Sequence, residues 1–105
     1  MKVNKCVCLL AVFYQLLNCS AYCETGNPTA SGVYPVEGVT CAMDKLNGSW
    51  VPFGSKVIFP DGMTLIVQDR FGSGNNNQCD IYLRNYGDCI QFGRRYIRCK
   101  IVTPD

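Results

Sequence analysis

Residues 65–83, LIVQDRFGSGNNNQCDIYL, restrict the fold more than any other stretch. Two apolar runs, 65–68 and 79–83, have the length of strands rather than helices, and a loop of Gly, Ser and Asn separates them. Each run delivers an aspartate to that loop: Asp69 at its start and Asp80 eleven positions later. Apolar neighbours set both carboxyls at the edge of a buried surface, where desolvation raises a carboxyl pKa toward the range useful for proton transfer. The simpler reading makes both of them turn residues, because Asp readily hydrogen-bonds loop backbone. Both readings stay open at this point.

The rest of the chain repeats the pattern of short strands cut by turns. Residues 24–38 read as a loop, punctuated by Gly26, Pro28, Gly32, Pro35 and Gly38, and Thr29 and Ser31 supply small polar side chains suited to lining a groove. A strand is expected over 39–43, ending at a third aspartate, Asp44. Pro52-Phe53-Gly54 turns the chain into a strand over 55–59, and Pro60-Asp61-Gly62 turns it again into the strand carrying Asp69, as in a hairpin. A helical turn is expected over 88–92, stopped by Gly93, and a last strand over 95–102. In that strand Ile97, Cys99 and Ile101 share one face, and Tyr96, Arg98 and Lys100 the other. Six or so short strands with one short helix imply an all-β fold, a small closed barrel.

A chain of 105 residues is one small domain with limited core, and its eight cysteines suggest disulfide restraint. There is no histidine, which removes Ser-His and Cys-His catalytic pairs and leaves acid–base chemistry to carboxylates, Tyr or Lys. A net charge of +2 gives no argument for nucleic acid as a partner. No Cys-x-x-Cys pair is present, so no metal is expected, and nothing calls for a cofactor.

Two lysines, a run of about a dozen apolar residues and then small residues have the three-part form of a secretory signal. The run is too short for a stable membrane span. The expected division is a signal segment over 1–20, its end open, and a domain over 21–105. The competing reading makes 16–23 the first strand of the fold, which forbids a cut after Ser20 or Ala21. Cys19, Cys23, Cys41, Cys79, Cys89 and Cys99 then form the expected disulfide set, with the pairing undetermined.

Tyr22-Cys23, Thr29-Ala30-Ser31-Gly32, Ala42-Met43-Asp44, Val51-Pro52-Phe53-Gly54, Val67-Gln68-Asp69-Arg70, Cys79-Asp80-Ile81-Tyr82 and Phe92-Gly93-Arg94-Arg95 follow one another along the chain. Their order and spacing resemble the three-aspartate (3D) domain over about residues 22–102. That domain is similar to the catalytic double-psi β-barrel of membrane-bound lytic transglycosylase A, and the VPFG and QDR segments also resemble the rare-lipoprotein-A and expansin-like barrels. The resemblance implies a six-stranded double-psi barrel. It implies that Asp44, Asp69 and Asp80 converge on one groove, with Asp80 as the acid–base residue of a lytic transglycosylase and the other two in support. Thr29, Ser31, Arg70, Trp50 and Tyr82 are the expected substrate-binding residues, Trp50 either as an exposed platform for a sugar ring or, equally open, as a ring packed under a loop. The chain departs from the family at residues 71–77, where a Gly-Gly and Ile-Lys-Gly pattern is replaced by Phe-Gly-Ser-Gly-Asn-Asn-Asn.

The expected function is therefore that of an exported monomer acting on peptidoglycan or another polysaccharide, secreted or in the cell envelope. The alternative is a secreted barrel without turnover that binds cell-wall glycan or inhibits a protein partner. The twelve residues from Asp69 to Asp80 also match the length of an EF-hand loop with Gly74 at its sixth position, but Phe71 occupies a ligand position and no helices flank it.

Overall fold

The computed structural model describes residues 11–23 and 26–104. Along the chain these form β1 (Val12–Tyr22), β2 (Thr40–Ala42), β3 (Lys45–Leu46), β4 (Ser49–Trp50), β5 (Lys56–Ile58), β6 (Thr64–Asp69), β7 (Gln78–Tyr82), α1 (Tyr86–Phe92) and β8 (Arg95–Val102). Six strands close a barrel in the order β1-β7-β2-β6-β5-β8, and β3 and β4 form a separate hairpin. The neighbours β1 and β7 run parallel, as do β2 and β6, while the remaining pairs are antiparallel. The closed six-stranded barrel with one short helix is the all-β architecture expected from the sequence. Closure leaves no barrel strand with an unpaired edge.

Alternation explains which side chains fill the interior. Ile101 and Cys99 of β8 are buried, whereas Tyr96 and Arg98 are exposed; Leu65 and Val67 of β6 are fully buried. Leu17, Met43 and Val57 complete the centre of the core. Each such aliphatic side chain stabilises the fold by about 1.5–3 kcal/mol relative to exposure. The β5–β6 hairpin pairs Lys56 with Ile66 and Ile58 with Thr64, as the Pro60-Asp61-Gly62 turn requires.

The N-terminal run, read from its sequence either as a leader or as the first strand, forms a strand in the structure. Val12–Tyr22 is the longest strand of the barrel, paired with β8 from Val12 to Cys19 and with β7 from Asn18 to Tyr22. A cut after Ser20 or Ala21 would remove nearly all of this strand, which takes the place that the reading of 16–23 as the first strand gives it. An apolar strand and the core of a secretory signal have the same composition, and only partners distinguish them. The two opening lysines, Cys6 and Cys8 lie outside the described residues.

No disulfide is formed among the described cysteines. The six described cysteines are free thiols, and Cys19, Cys41, Cys79 and Cys99 are small apolar residues of the barrel core.

Two local features went unread in the sequence. Asn47 and Gly48 both have positive φ, 49° and 86°, the conformation of a two-residue hairpin turn, and they join β3 to β4. Helix α1 starts earlier than expected because the Asn85 side chain caps it, accepting from the N–H groups of Gly87 and Asp88. It ends before Gly93, as read.

Candidate functional site

The barrel sets Asp80 and Asp69 on either side of one residue. Strand β2 lies between β6 and β7, and Ala42 is the register partner of both Asp69 and Asp80. A register shift between Cys41 and Ala42 makes this so. Thr40 and Cys41 face Ile66 and Val67, so regular pairing would put Gln68 opposite Ala42; the bulge substitutes Asp69. On the other side of β7, Ser20 of β1 is the register partner of Asp80. Adjacent strands thus bring Ser20, Asp80, Ala42 and Asp69 into one row.

Asp80 is half-buried. Its Oδ1 accepts a hydrogen bond from the Ser20 hydroxyl at 2.8 Å. Burial pushes its carboxyl above the ordinary range, the Ser20 hydroxyl and the Arg94 guanidinium pull it down, and the neighbouring Asp69 pushes it up, with a net upward result. The exposed Arg94 is steered by a hydrogen bond from Nη1 to Asn18 Oδ1, 3.1 Å.

Asp69 is used differently. Its Oδ2 accepts from the Tyr22 hydroxyl at 2.9 Å, and its Oδ1 accepts from the backbone N–H groups of Ala30 and Arg70, each 2.9 Å. Burial and then the bond to Asp69 push the Tyr22 phenol far above its ordinary range, so it stays a donor. The Tyr22 ring meets Tyr82 edge-on, 5.6 Å between centroids at 69°. Asp69 is therefore a fixed acceptor beside a less restrained carboxyl.

Asp44 does not join this pair. It is completely buried, and its two oxygens receive four backbone N–H groups: Phe71 at 2.9 Å and Gly72 at 3.3 Å on Oδ1, Gly74 at 2.8 Å and Asn75 at 3.0 Å on Oδ2. Burial opposes its ionisation, but the four donors together outweigh burial and hold the carboxyl below its ordinary range. Gly72 and Gly74 adopt φ of 93° and 75°, which lets successive N–H groups turn toward one carboxylate. Of the three aspartates expected to share one groove, the structure sets Asp69 and Asp80 in the row and turns the Asp44 carboxyl into the loop that follows Asp69. The same geometry argues against calcium: residues 71–75 turn N–H donors inward, where a calcium loop presents oxygens. Among the described residues no group of three or more His, Cys, Asp or Glu is arranged to hold a metal ion.

The expected binding residues divide. Ser31 is exposed next to Thr29, and its N–H docks on the Gln68 carbonyl at 3.1 Å, so residues 29–31 lie against the end of β6 that carries Asp69. Thr29 itself is buried, and its hydroxyl donates to the Val33 carbonyl at 2.6 Å, which makes it a turn residue. Tyr82 is also buried, serving as a wall behind Tyr22 rather than a contact surface. Arg70 donates to the Met43 carbonyl at 2.7 Å and stacks on Phe53, 4.1 Å from the ring centroid. Trp50 is 53% exposed, as a sugar platform requires, but its ring contacts are Lys45 and Arg70. It lines a hollow of about 120 Å³ with Phe13, Val51, Pro52 and Ile101, which includes neither Asp69 nor Asp80.

Three residues of the site had no assigned role in the sequence: Ser20, Tyr22 and Arg94. Ser20 was hidden in the expected signal segment, and Tyr22 and Arg94 stood in segments carrying the family resemblance. No family model matches the chain, and neither the curated proteins nor the solved structures yield a match.

Proposed function

We propose that this barrel cleaves the glycan strand of peptidoglycan in the manner of a lytic transglycosylase, with Asp80 as the single acid and base. The observation that carries this reading is the asymmetry of the carboxyl pair. Asp80 is half-buried with its pKa pushed up, and Asp69 beside it is saturated by three donors. Two carboxyls whose surroundings treat them differently are the usual basis for dividing acid–base roles.

The protonated Asp80 would give its proton to the glycosidic oxygen as the bond to C1 breaks and positive charge builds on the sugar. The resulting carboxylate would take the proton from the sugar's own 6-hydroxyl while that oxygen closes on C1, leaving a 1,6-anhydro end and a reloaded acid. Burial and Asp69 favour the loaded form, whereas the Ser20 hydroxyl and Arg94 stabilise the carboxylate between the two transfers. Asp69 and Tyr22 are positioning residues, and Asp44 shapes the loop beyond them. Such a substrate implies work in the cell envelope or outside the cell, and any leader cut compatible with the barrel lies ahead of β1.

The test is incubation with purified peptidoglycan and mass spectrometry of the soluble products. Anhydro-muropeptides are expected from the wild type and none from Asp80→Asn, whose amide keeps the shape but carries no transferable acid proton. Wild-type rate in Asp80→Asn overturns the assignment of Asp80. Binding of glycan without any product would leave the barrel as a binding module.

A further inference from the structure

Of the six described cysteines, four are sealed in the barrel and two are not. Cys19, Cys41, Cys79 and Cys99 have 0–1% exposure. Cys23, just past the end of β1, is half-buried, and Cys89 on α1 is 8% exposed. Their sulfurs face each other at 3.1 Å across 66 positions of sequence. A disulfide needs about 2.05 Å, so the two Sγ atoms stand about 1 Å beyond bonding distance.

The helix carrying Cys89 has reason to be fastened. A seven-residue helix is not stable by itself, and α1 holds to the barrel through Cys89 and the half-buried Phe92, while Tyr86 and Ile90 are 72% and 63% exposed. The other end of the link is equally placed. Cys23 directly follows Tyr22, whose carbonyl accepts from Leu83 N–H at 3.0 Å and whose hydroxyl holds Asp69.

We propose that Cys23 and Cys89 form a disulfide that clips α1 to the end of β1, and that Cys19, Cys41, Cys79 and Cys99 remain thiols in the core. The oxidant is a small-molecule disulfide such as oxidised glutathione. Cys23, the more accessible sulfur, attacks it as thiolate, forming a mixed disulfide and releasing one glutathione thiol. Cys89 then gives up its proton and displaces the second glutathione thiol from Cys23. The protein loses two electrons and two protons, and the external disulfide gains them as two thiols. Burial, then the neighbouring Cys23 thiol, push Cys89 up to about 11, which suits it to the second step rather than the first. The link is independent of glycan cleavage.

The full chain, equilibrated with oxidised glutathione, is alkylated in its native state and then digested with pepsin at acid pH, which prevents exchange between cysteines. The expected product is one cross-link between the Cys23 and Cys89 peptides, with the four core cysteines alkylated only after denaturation. Reduction should lower the thermal midpoint by about 10 °C or more, given the large loop closed. That redox dependence should vanish in Cys23→Ser, and also in Cys89→Ser. Cys23→Ser alters only the half-buried partner, so it decides the matter should substitution of Cys89 disturb the packing of α1. A cross-link to any other cysteine, Cys6 and Cys8 included, overturns the proposal. So does alkylation of both Cys23 and Cys89 after oxidation, or a redox-dependent midpoint that survives in Cys23→Ser.

Discussion

Asp44 is completely buried and Asp80 only half, yet the Asp44 carboxyl is pushed down and the Asp80 carboxyl up. Burial penalises ionisation at both positions. The outcome is decided by how many donors the backbone aims at each one. Among the described residues, Asp44 receives four N–H groups from residues 71–75, whereas a single side-chain hydroxyl donates to the Asp80 carboxyl. A carboxylate so surrounded organises a loop, and one left short of donors has its pKa pushed up by burial. Proximity in a motif does not make the two equivalent.

The largest effect is expected on the loop side. Asp44→Asn turns an amide NH2 toward backbone N–H groups that now meet an oxygen, and should lower stability by about 4 kcal/mol, the combined cost of losing charge-assisted bonds and leaving buried donors unpaired. Urea unfolding measures this directly, and a change below about 1 kcal/mol would mean that the loop is not organised by that carboxylate. The pH dependence has a definite sign. With its folded pKa below the ordinary 3.8, Asp44 contributes stability that is fully present above that value and is lost as pH falls through the folded pKa. Asp80 acts in the opposite direction: its contribution is complete below 3.8 and is lost as pH rises through its raised folded pKa. Asp44→Asn should flatten the acid limb of the stability curve, and Asp80→Asn should not.

A middle-sized effect belongs to the acceptor between them. Tyr22→Phe removes one of three donors to Asp69 and should cost about 1 kcal/mol, since the bond is only partly buried. Its effect on glycan cleavage should exceed its effect on stability if the hydroxyl fixes Asp69 beside Asp80. Equal and small effects on both would make Tyr22 a packing residue.

The smallest effect sharpens the donor-counting argument itself. Ser20→Ala removes the hydrogen bond from the Ser20 hydroxyl to Asp80 and should raise its pKa further with little change in unfolding midpoint. Carboxyl carbon shifts followed by NMR through a pH titration report this whether or not substrate is present. A pKa that stays in place or falls would show that hydrogen-bond supply is not what separates Asp80 from Asp44.

The residues lettered several elements clearly. Ile97, Cys99 and Ile101 alternating with Tyr96, Arg98 and Lys100 specified β8 to its ends, and Pro60-Asp61-Gly62 specified the β5–β6 hairpin. Such features are local: a strand face or a turn is determined by neighbours one to four positions away. The Asn47-Gly48 hairpin and the Asn85 cap were equally local and were legible in principle.

Other features required distant partners. Whether Val12–Tyr22 is a leader or a strand depends on β7 and β8, some 60 to 90 positions away along the chain. Asp69 and Asp80 were visible as a pair bracketing a loop, but their common neighbour Ala42 follows from a bulge, and a register shift of one residue is not written in the side-chain pattern of either strand alone. The sequence by itself determined a small all-β chain in which, without histidine, any acid–base chemistry falls to carboxylates, Tyr or Lys, because composition and period-two alternation are properties of contiguous residues. Only the closed barrel decided that Asp44 spends its charge on backbone donors while Asp80 retains a raised pKa, because the energy of a charge depends on burial and on dipoles brought to it from elsewhere in the chain.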